Sequence, residues 1–345
     1  MRLIFLLLSI TMCCSAFGQI GGENTYEFLN LPVSARSTAT GGSLITVNDG
    51  DLSLAYHNPS VLNSTVSRHL SASVMNYFGG INFGNVSYAQ QFGMATYQAG
   101  IQFISYGTLD RTDVTGTVLG TFQPSEYAMF IGAGIPYGKY SFGSNLKFIY
   151  SDFTDYKSYG TALDLAANWT DTARMVTVSL VLRNMGFQIK PYEKGNSEGL
   201  PFDVQLGISK RLSKLPFRIN LILHNLYRWD IAYYDPASAS SGSQFGFEED
   251  TNEPGFADKL FRHVIVGGEL YFGKAVRVGF GYNHLRRQEL KLTTKTGLAG
   301  YSFGLGINIK QFQINYALGK YHPATGAHHF TLNTNLGSFI RSKKG

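Results

Sequence analysis

The residues that most often carry enzyme chemistry are few and scattered in this sequence. Its histidines are His57, His69, His224, His263, His284, His322, His328 and His329. A barrel hydrolase would require a histidine eight residues before a serine, with an asparagine four residues after that serine, and no histidine of this chain has that spacing. No G-x-S-x-G, H-E-x-x-H or P-loop motif occurs either. Adjacent strand residues point to opposite faces, so His328 and His329 are a poor metal chelate. The sequence predicts no enzyme, no cofactor and no metal site.

The N-terminus has the features of a secretory signal peptide. One positive charge, a short apolar run and small residues before the cleavage site occupy residues 1–18, so Gln19 is the predicted mature start. Cys13 and Cys14 are the only cysteines. We therefore expect an exported mature chain without disulfides, thiolate nucleophiles or cysteine metal ligands.

The composition of the 345 residues is unusual for a water-soluble protein. Charged residues make up 15% and aromatic residues 14%, with 39 glycines. Mean hydropathy is only -0.06, and no run after the N-terminus is apolar enough for a transmembrane helix. The formal net charge is +6, but no basic stripe is interleaved with aromatics, so nucleic acid is not an expected partner. Few charges, many aromatics and many glycines are typical of a membrane β-barrel.

Alternation with period two runs through most of the chain and predicts strands. In segments such as 277–282 and 301–309, large apolar residues alternate with small or polar ones. In a barrel the large residues would face lipid, while Gly, Ser, Asn and Gln would face the lumen. Fourteen strands are predicted at about 69–78, 81–92, 95–106, 126–135, 140–150, 158–169, 174–184, 201–211, 216–226, 263–272, 275–286, 299–309, 311–319 and 328–336.

The lengths of the connections favour a barrel over a secreted β-sandwich, which is the alternative. Short turns alternate with longer segments at 107–125, 151–157, 187–200, 227–262, 287–298 and 320–327, apart from a tight first hairpin at Gly79-Gly80. Outer-membrane barrels have short turns on one rim and longer loops on the other. The sequence thus predicts an all-β fold, a transmembrane antiparallel β-barrel of about 14 strands. Its strands would occupy 67–338, followed by a basic tail at 339–345.

Residues 19–66 lack the strand pattern and contain small, helix-compatible runs broken by Gly and Pro. Because a barrel this wide has a sizeable lumen, we expect them to form an N-terminal plug or hatch segment. The alternative is a loose N-terminal lead.

The segment 227–262 is the longest connection and the strongest candidate for binding a partner. Its aromatic and arginine side chains are types found at interface hot spots. The candidate partner-binding residues are Trp229, Tyr233, Tyr234, Phe245, Phe247 and Arg262. Residues 258–262 are predicted to form one helical turn. There are two alternatives for this segment. It could be a mobile solvated loop, or its acidic residues 248–250 could bind a divalent ion.

Several stretches carry a family resemblance. They include 19–23, 28–36, Gly41-Gly42, 58–62, 120–122, 182–186, 200–202 and 228–230. With them the chain resembles the PorV/PorQ family of Bacteroidetes outer-membrane proteins, which belong to the type IX secretion system. One departure is the C-terminus, which continues past Leu336 into a basic tail instead of ending on an aromatic residue.

The resemblance implies a fatty-acid-transporter-like barrel of fourteen strands with an N-terminal segment at the lumen. It also implies a non-enzymatic accessory of secretion, which tethers a surface-exposed, PorZ-like component of the machinery that attaches cargo to lipopolysaccharide. The alternative is an outer-membrane carrier of hydrophobic small molecules. A lumen face of Gly, Ser, Asn and Gln disfavours that alternative, because a carrier needs an apolar pocket.

Overall fold

The computed structural model describes residues 24–232, 255–290, 297–320 and 326–341. Within these residues, fourteen strands form one closed antiparallel barrel, and two further strands form a separate hairpin. The predicted fold class is confirmed. The predicted signal peptide, residues 1–18, lies outside the described residues.

The barrel strands follow one another around the wall in chain order, and the last strand pairs with the first. They are β1 (His69–Asn76), β2 (Asn82–Phe92), β3 (Ala95–Ser105), β6 (Ser125–Tyr137), β7 (Tyr140–Phe153), β8 (Tyr156–Asp171), β9 (Val176–Lys190), β10 (Asp203–Arg211), β11 (Phe217–Leu223), β12 (Val264–Phe272), β13 (Val276–Asn283), β14 (Tyr301–Ile309), β15 (Phe312–Gly319) and β16 (Ala327–Asn335). The hairpin strands are β4 (Leu109–Thr112) and β5 (Val118–Phe122).

Alternation along each strand separates the two faces of the wall as predicted. In β13, Val278 and Phe280 are exposed on the outer face, whereas Arg277 is buried on the inner face. Phe280 is paired with Phe303 of β14, which is exposed on the same outer face. A belt of exposed apolar side chains around a closed sheet suits a hydrocarbon surrounding and would be costly in water.

The connections divide the barrel into a short-turn rim, which holds the β2–β3 and β12–β13 turns, and a long-loop rim opposite. Three predicted long connections differ from expectation. Segment 187–200 begins within a strand, because β9 continues to Lys190. Segment 151–157 is mostly strand, because β7 and β8 continue to a turn at Thr154-Asp155, where Asp152 accepts a hydrogen bond from the Thr154 amide. Segment 107–125 is not irregular, since it contains the β4–β5 hairpin.

The described residues contain four short α-helices, and none of the described helices is long and apolar enough to cross a membrane. They are α1 (Ala35–Ala39), α2 (Phe256–Arg262), α3 (His284–Leu290) and α4 (Leu336–Arg341). Helix α2 confirms the helical turn predicted at 258–262. Helix α4 follows directly on β16, so the predicted boundary between barrel and tail at 338 lies inside a helix.

Residues 24–66 pack against the inner faces of strands on opposite sides of the barrel. Helix α1 contacts β13–β16, and the 3₁₀ turn Pro59–Val61 contacts β6–β8. At the long-loop rim the Thr25 amide donates to the Gly199 carbonyl (2.9 Å). At the short-turn rim the Arg68 amide donates to the Ala89 carbonyl (2.7 Å), and β1 follows. The segment therefore runs through the lumen from one rim to the other.

Local sequence explains the shape of this segment. Ser34, Asp51, Asn58 and Asn63 each precede a short helix, and each side chain accepts a hydrogen bond from a backbone amide of the first turn. These residue types are preferred N-caps because they satisfy amides that have no partner within the helix. A run of separate short turns results, which can follow the lumen wall.

Candidate functional site

The lumen near the short-turn rim contains a buried ion network that joins the N-terminal segment to the wall. The Arg36 guanidinium lies 2.7 Å from the Glu269 carboxylate of β12, 2.7 Å from that of Asp49 and 3.1 Å from that of Asp51. Arg277 and Arg218 both lie 3.2 Å from Glu269. Three guanidinium groups therefore face three carboxylates, which leaves the network without net charge.

Charge pairing rather than burial decides the ionisation of Arg36 and Asp49, two of the three network groups on the N-terminal segment. Burial alone would lower the pKa of Arg36, but Asp49 and Glu269 raise it well above its ordinary value. Burial alone would raise the pKa of Asp49, yet Arg36 beside it holds that pKa well below the usual range. Both groups therefore stay charged at neutral pH. Removing one partner would leave an uncompensated charge in the lumen.

A second charged layer lies in the middle of the barrel. Lys147 of β7 and Asp164 of β8 are fully buried, with 2.7 Å between the ammonium nitrogen and a carboxylate oxygen. The Lys147 ammonium also donates to the Asn184 side-chain oxygen (2.8 Å) and lies 4.5 Å from the centre of the Tyr56 ring. This layer ties the wall to the N-terminal segment through Tyr56.

Towards the long-loop rim the lumen becomes apolar. Phe28 and Leu29 of the N-terminal segment pack with Met75, Phe83 and Phe130, whose strands form one side of the wall. The sequence predicts a lumen face of Gly, Ser, Asn and Gln, and this prediction is wrong here. Met75, Phe83 and Phe130 of the wall face the lumen, where they are buried against apolar residues of the N-terminal segment. The prediction is also wrong in the two charged layers.

An apolar pocket of about 210 Å³ opens beside this cluster, between the N-terminal segment and strands β1–β3. Its lining residues are Glu27, Phe28, Leu31, Tyr77, Ile81, Phe83, Ile104 and Tyr106. A mouth cavity of about 630 Å³ adjoins it and shares Glu27 and Tyr106 as a common wall. A pocket with mostly apolar walls and a few polar groups is the usual form of a small-molecule site.

The outer wall carries a groove of about 820 Å³ towards the short-turn rim. Small residues of β3, β6 and β7 form its floor, and Tyr88, Tyr97 and Leu163 are among its sides. Behind it, the Gln98 side chain donates to the Asn145 side chain (2.7 Å) and to the Ala55 carbonyl (3.1 Å). This polar bridge separates the groove from the lumen.

Of the predicted partner-binding residues, the structure describes Trp229 and Arg262 and brings both to helix α2. Trp229 is 49% exposed and lies 5.4 Å, between ring centres, from Phe256. Arg262 donates to the Asp258 carboxylate (2.7 Å), which leaves it less free for a partner. Tyr233, Tyr234, Phe245 and Phe247, and the acidic residues 248–250, lie outside the described residues.

His328 and His329 point to opposite faces of β16, as the alternation predicts. His329 faces the lumen, where its Nδ1 lies 2.8 Å from the Thr38 hydroxyl, while His328 lies on the outer face beside the Tyr316 hydroxyl. Among the described residues no group of three or more His, Cys, Asp or Glu side chains could hold a metal ion.

The barrel fold of this chain has counterparts among solved structures. The chain is similar to a deltaS2 mutant of the monoaromatic hydrocarbon channel TodX (TM-score 0.52, 12% identity, 88% of this chain and 97% of that chain). It is also similar to the Ralstonia pickettii toluene transporter TbuX (TM-score 0.50, 10% identity, 89% of this chain and 97% of that chain). At these identities the likeness concerns the fold.

Neither family models nor curated protein sequences give a match to the chain. Membership of the PorV/PorQ family therefore stays a prediction from the sequence motifs.

Proposed function

We propose that the protein is an outer-membrane carrier of hydrophobic small molecules, which bind first in the apolar pocket at the long-loop rim. The pocket carries this proposal, because the sequence argument against a carrier was the lack of any apolar surface in the lumen. Its walls come from both the N-terminal segment, through Phe28 and Leu31, and the barrel, through Phe83 and Ile104. The exposed apolar belt supports the membrane location, and the fold likeness to the toluene transporter TbuX supports a hydrophobic cargo.

Filling the pocket tests the carrier proposal. Leu31 is only partly buried, so Leu31→Trp places an indole in the pocket without displacing a tightly packed residue. Cells that produce this variant should take up labelled toluene at the rate of cells lacking the protein. Leu31→Ala, which enlarges the pocket, should keep wild-type uptake, and so should Val114→Trp on the fully exposed β4–β5 hairpin. Wild-type uptake by Leu31→Trp, at an equal amount of folded barrel, would refute the proposal.

Tethering of a surface protein of the type IX secretion system is the second candidate, and an exposed apolar patch at the long-loop rim favours it. Phe256 is 72%, Phe261 54% and Trp229 49% exposed, and all three belong to α2 or contact it. Exposed aromatic clusters of this kind often mark protein interfaces.

Co-purification separates this second candidate from the carrier. A PorZ-like surface protein should be recovered with the wild-type barrel from detergent extracts of the source cells. It should be lost with Trp229→Ala combined with Phe256→Ala, while Val114→Ala should retain it. Absence of any stoichiometric surface protein from the wild-type preparation would rule out tethering through this patch.

A further inference from the structure

The mouth cavity differs in its chemistry from the apolar pocket beside it. Its aromatic side chains are Tyr26, Tyr106, Phe153, Tyr156 and Tyr192, and its carboxylates are those of Glu27, Glu126, Glu193 and Glu198. The remaining lining residues, Asn24, Thr25 and Asn196, are neutral. The part of the cavity wall that the structure describes thus contains four carboxylates and no lysine or arginine.

Hydrogen bonds hold Tyr106 and Tyr192 of this wall in place. The Tyr106 hydroxyl donates to Glu126 (2.6 Å), and the Tyr192 hydroxyl donates to Ser151 (2.5 Å). Burial raises the pKa of Tyr192 to about 12, so its phenol stays neutral at ordinary pH. The rings of Tyr106 and Tyr192 are therefore held at the cavity wall, and the face of an aromatic ring attracts cations.

The basic side chains nearest along the chain are engaged elsewhere or stand outside the lining. Lys157 pairs with Asp152 (3.0 Å), and Arg111 pairs with Asp155 (3.1 Å). The Lys190 ammonium lies 5.8 Å from the centre of the Tyr159 ring, and Lys190 does not line the cavity. Lys194 is exposed in the β9–β10 loop and does not line the cavity. An anionic ligand group would consequently meet carboxylates without a compensating cation, at a cost in binding.

Glu27 and Tyr106 belong to both cavities, so a ligand seated in the apolar pocket has its polar end at the carboxylates. Glu27 is exposed at the mouth, and its carboxylate accepts a hydrogen bond from the Asn30 side-chain amide (3.1 Å). A carboxyl in this position can accept hydrogen bonds from a donor group of the ligand. A ligand carboxylate offers no donor to it.

We propose that the site selects small amphiphiles whose apolar part fills the pocket and whose polar end is an amine or another cationic hydrogen-bond donor. Fatty acids and other carboxylates are disfavoured. The inference rests on the proposed carrier function and specifies the chemical class of its cargo.

Three probes that share a phenylethyl group separate the inference from the carrier function itself. They are 2-phenylethanol, 2-phenylethylammonium and 3-phenylpropanoate, titrated calorimetrically into the full-length barrel in non-ionic detergent at pH 7. Binding of the neutral alcohol reports the apolar pocket. A charge-assisted hydrogen bond corresponds to about tenfold to a hundredfold in affinity, so the ammonium should bind at least about tenfold more tightly than the carboxylate.

Charge-removing variants assign the preference to this cavity. Glu27→Gln and Glu126→Gln should each lower the ratio of ammonium to alcohol affinity, while Asp110→Asn, an equal charge change on the exposed β4 strand, should leave it unchanged. Glu27 is exposed, so Glu27→Gln should fold even where Glu126→Gln does not. Equal binding of carboxylate and ammonium, or a preference that survives in every folded Gln variant, would overturn the inference while leaving the carrier function intact. Binding of none of the three probes would overturn both.

Discussion

Replacement of Arg36 by alanine should detach part of the N-terminal segment from the barrel wall. Arg36 is 3% exposed and contacts three carboxylates, on Asp49, Asp51 and Glu269. Removal of one partner of a buried ion pair costs about 3–5 kcal/mol, because the remaining charge is left without compensation.

The lower end of that range applies, since the carboxylates keep other partners. Glu269 retains Arg218 and Arg277, each at 3.2 Å, and Asp49 retains Arg218 at 3.3 Å. About 3 kcal/mol corresponds to roughly a hundredfold rise in the population of the detached segment. Amide hydrogen exchange in α1 should therefore accelerate about a hundredfold. Brief conductance openings in planar bilayers should become more frequent.

Arg111→Ala is the matched control for this prediction, because it removes the same charge from a surface pair. Arg111 and Asp155 lie 3.1 Å apart, but their side chains are 56% and 64% exposed. Such pairs contribute only about 0–1 kcal/mol. Equal exchange rates in α1 of Arg36→Ala and Arg111→Ala would show that the ion network does not anchor the segment. Deletion of 19–66 gives the upper limit of leakage, and unchanged leakage in that deletion would refute the plug prediction.

Three further predictions concern the lumen. The pKa of Asp49 is lowered in the folded protein, so its contribution to anchoring is complete above the ordinary carboxyl pKa of about 3.9. That contribution is lost only as the pH falls below this value. A rise in leakage of the wild type between pH 7 and pH 5 would contradict this prediction. Gly143→Ala should speed amide hydrogen exchange in the turn at Pro59, because the added carbon would lie 2.3 Å from the Pro59 backbone. Gly255→Ala is the control, since its added carbon meets no neighbouring atom, and it should leave this exchange unchanged. Lys147→Met should lower the urea midpoint of unfolding, because it leaves Asp164 without its ion pair. The double variant with Asp164→Asn should recover most of that loss. A midpoint that does not recover would argue against a charge effect.

The barrel could be predicted from sequence because its signal is local. Each strand alternates with period two, and the outward row is apolar irrespective of which strand pairs with it. The predicted ends of thirteen strands therefore lie within three residues of the observed ends, whereas β9 continues six residues past its predicted end at 184. The turn at Thr154-Asp155 is not evident from the sequence, because it depends on the hydrogen bond that the Thr154 amide donates to the Asp152 side chain, and these residue types are ordinary in loops. The β4–β5 hairpin was missed because its strands have exposed residues on both faces and hence no alternation.

The lumen chemistry could not be predicted in the same way. Arg36 and Glu269 are 233 positions apart, and nothing in the local pattern of either indicates the other. A usable signal did exist, since charged residues such as Lys147, Asp164 and Glu269 occupy lumen-facing positions within strands. Charges at such positions need partners when the lumen is filled. The apolar pocket likewise depends on side chains of the N-terminal segment, whose register against the wall the sequence does not specify.

The two ends of the N-terminal segment are held by separate interactions, and this predicts that anchoring and ligand binding can be separated. The backbone at Phe28, which lines the pocket, and at the adjacent Leu29 is fixed by hydrogen bonds from Gln102 to the Phe28 carbonyl (2.7 Å) and from Arg183 to the Leu29 carbonyl (2.9 Å). Neither bond involves the ion network around Arg36. Arg36→Ala should therefore bind 2-phenylethanol within about twofold of the wild type, whereas Gln102→Ala should weaken binding by about fivefold to tenfold, the usual effect of losing one neutral hydrogen bond. A tenfold loss of affinity in Arg36→Ala would instead show that the segment moves as one body, so that any ligand entering the pocket would act on the short-turn end of the lumen as well.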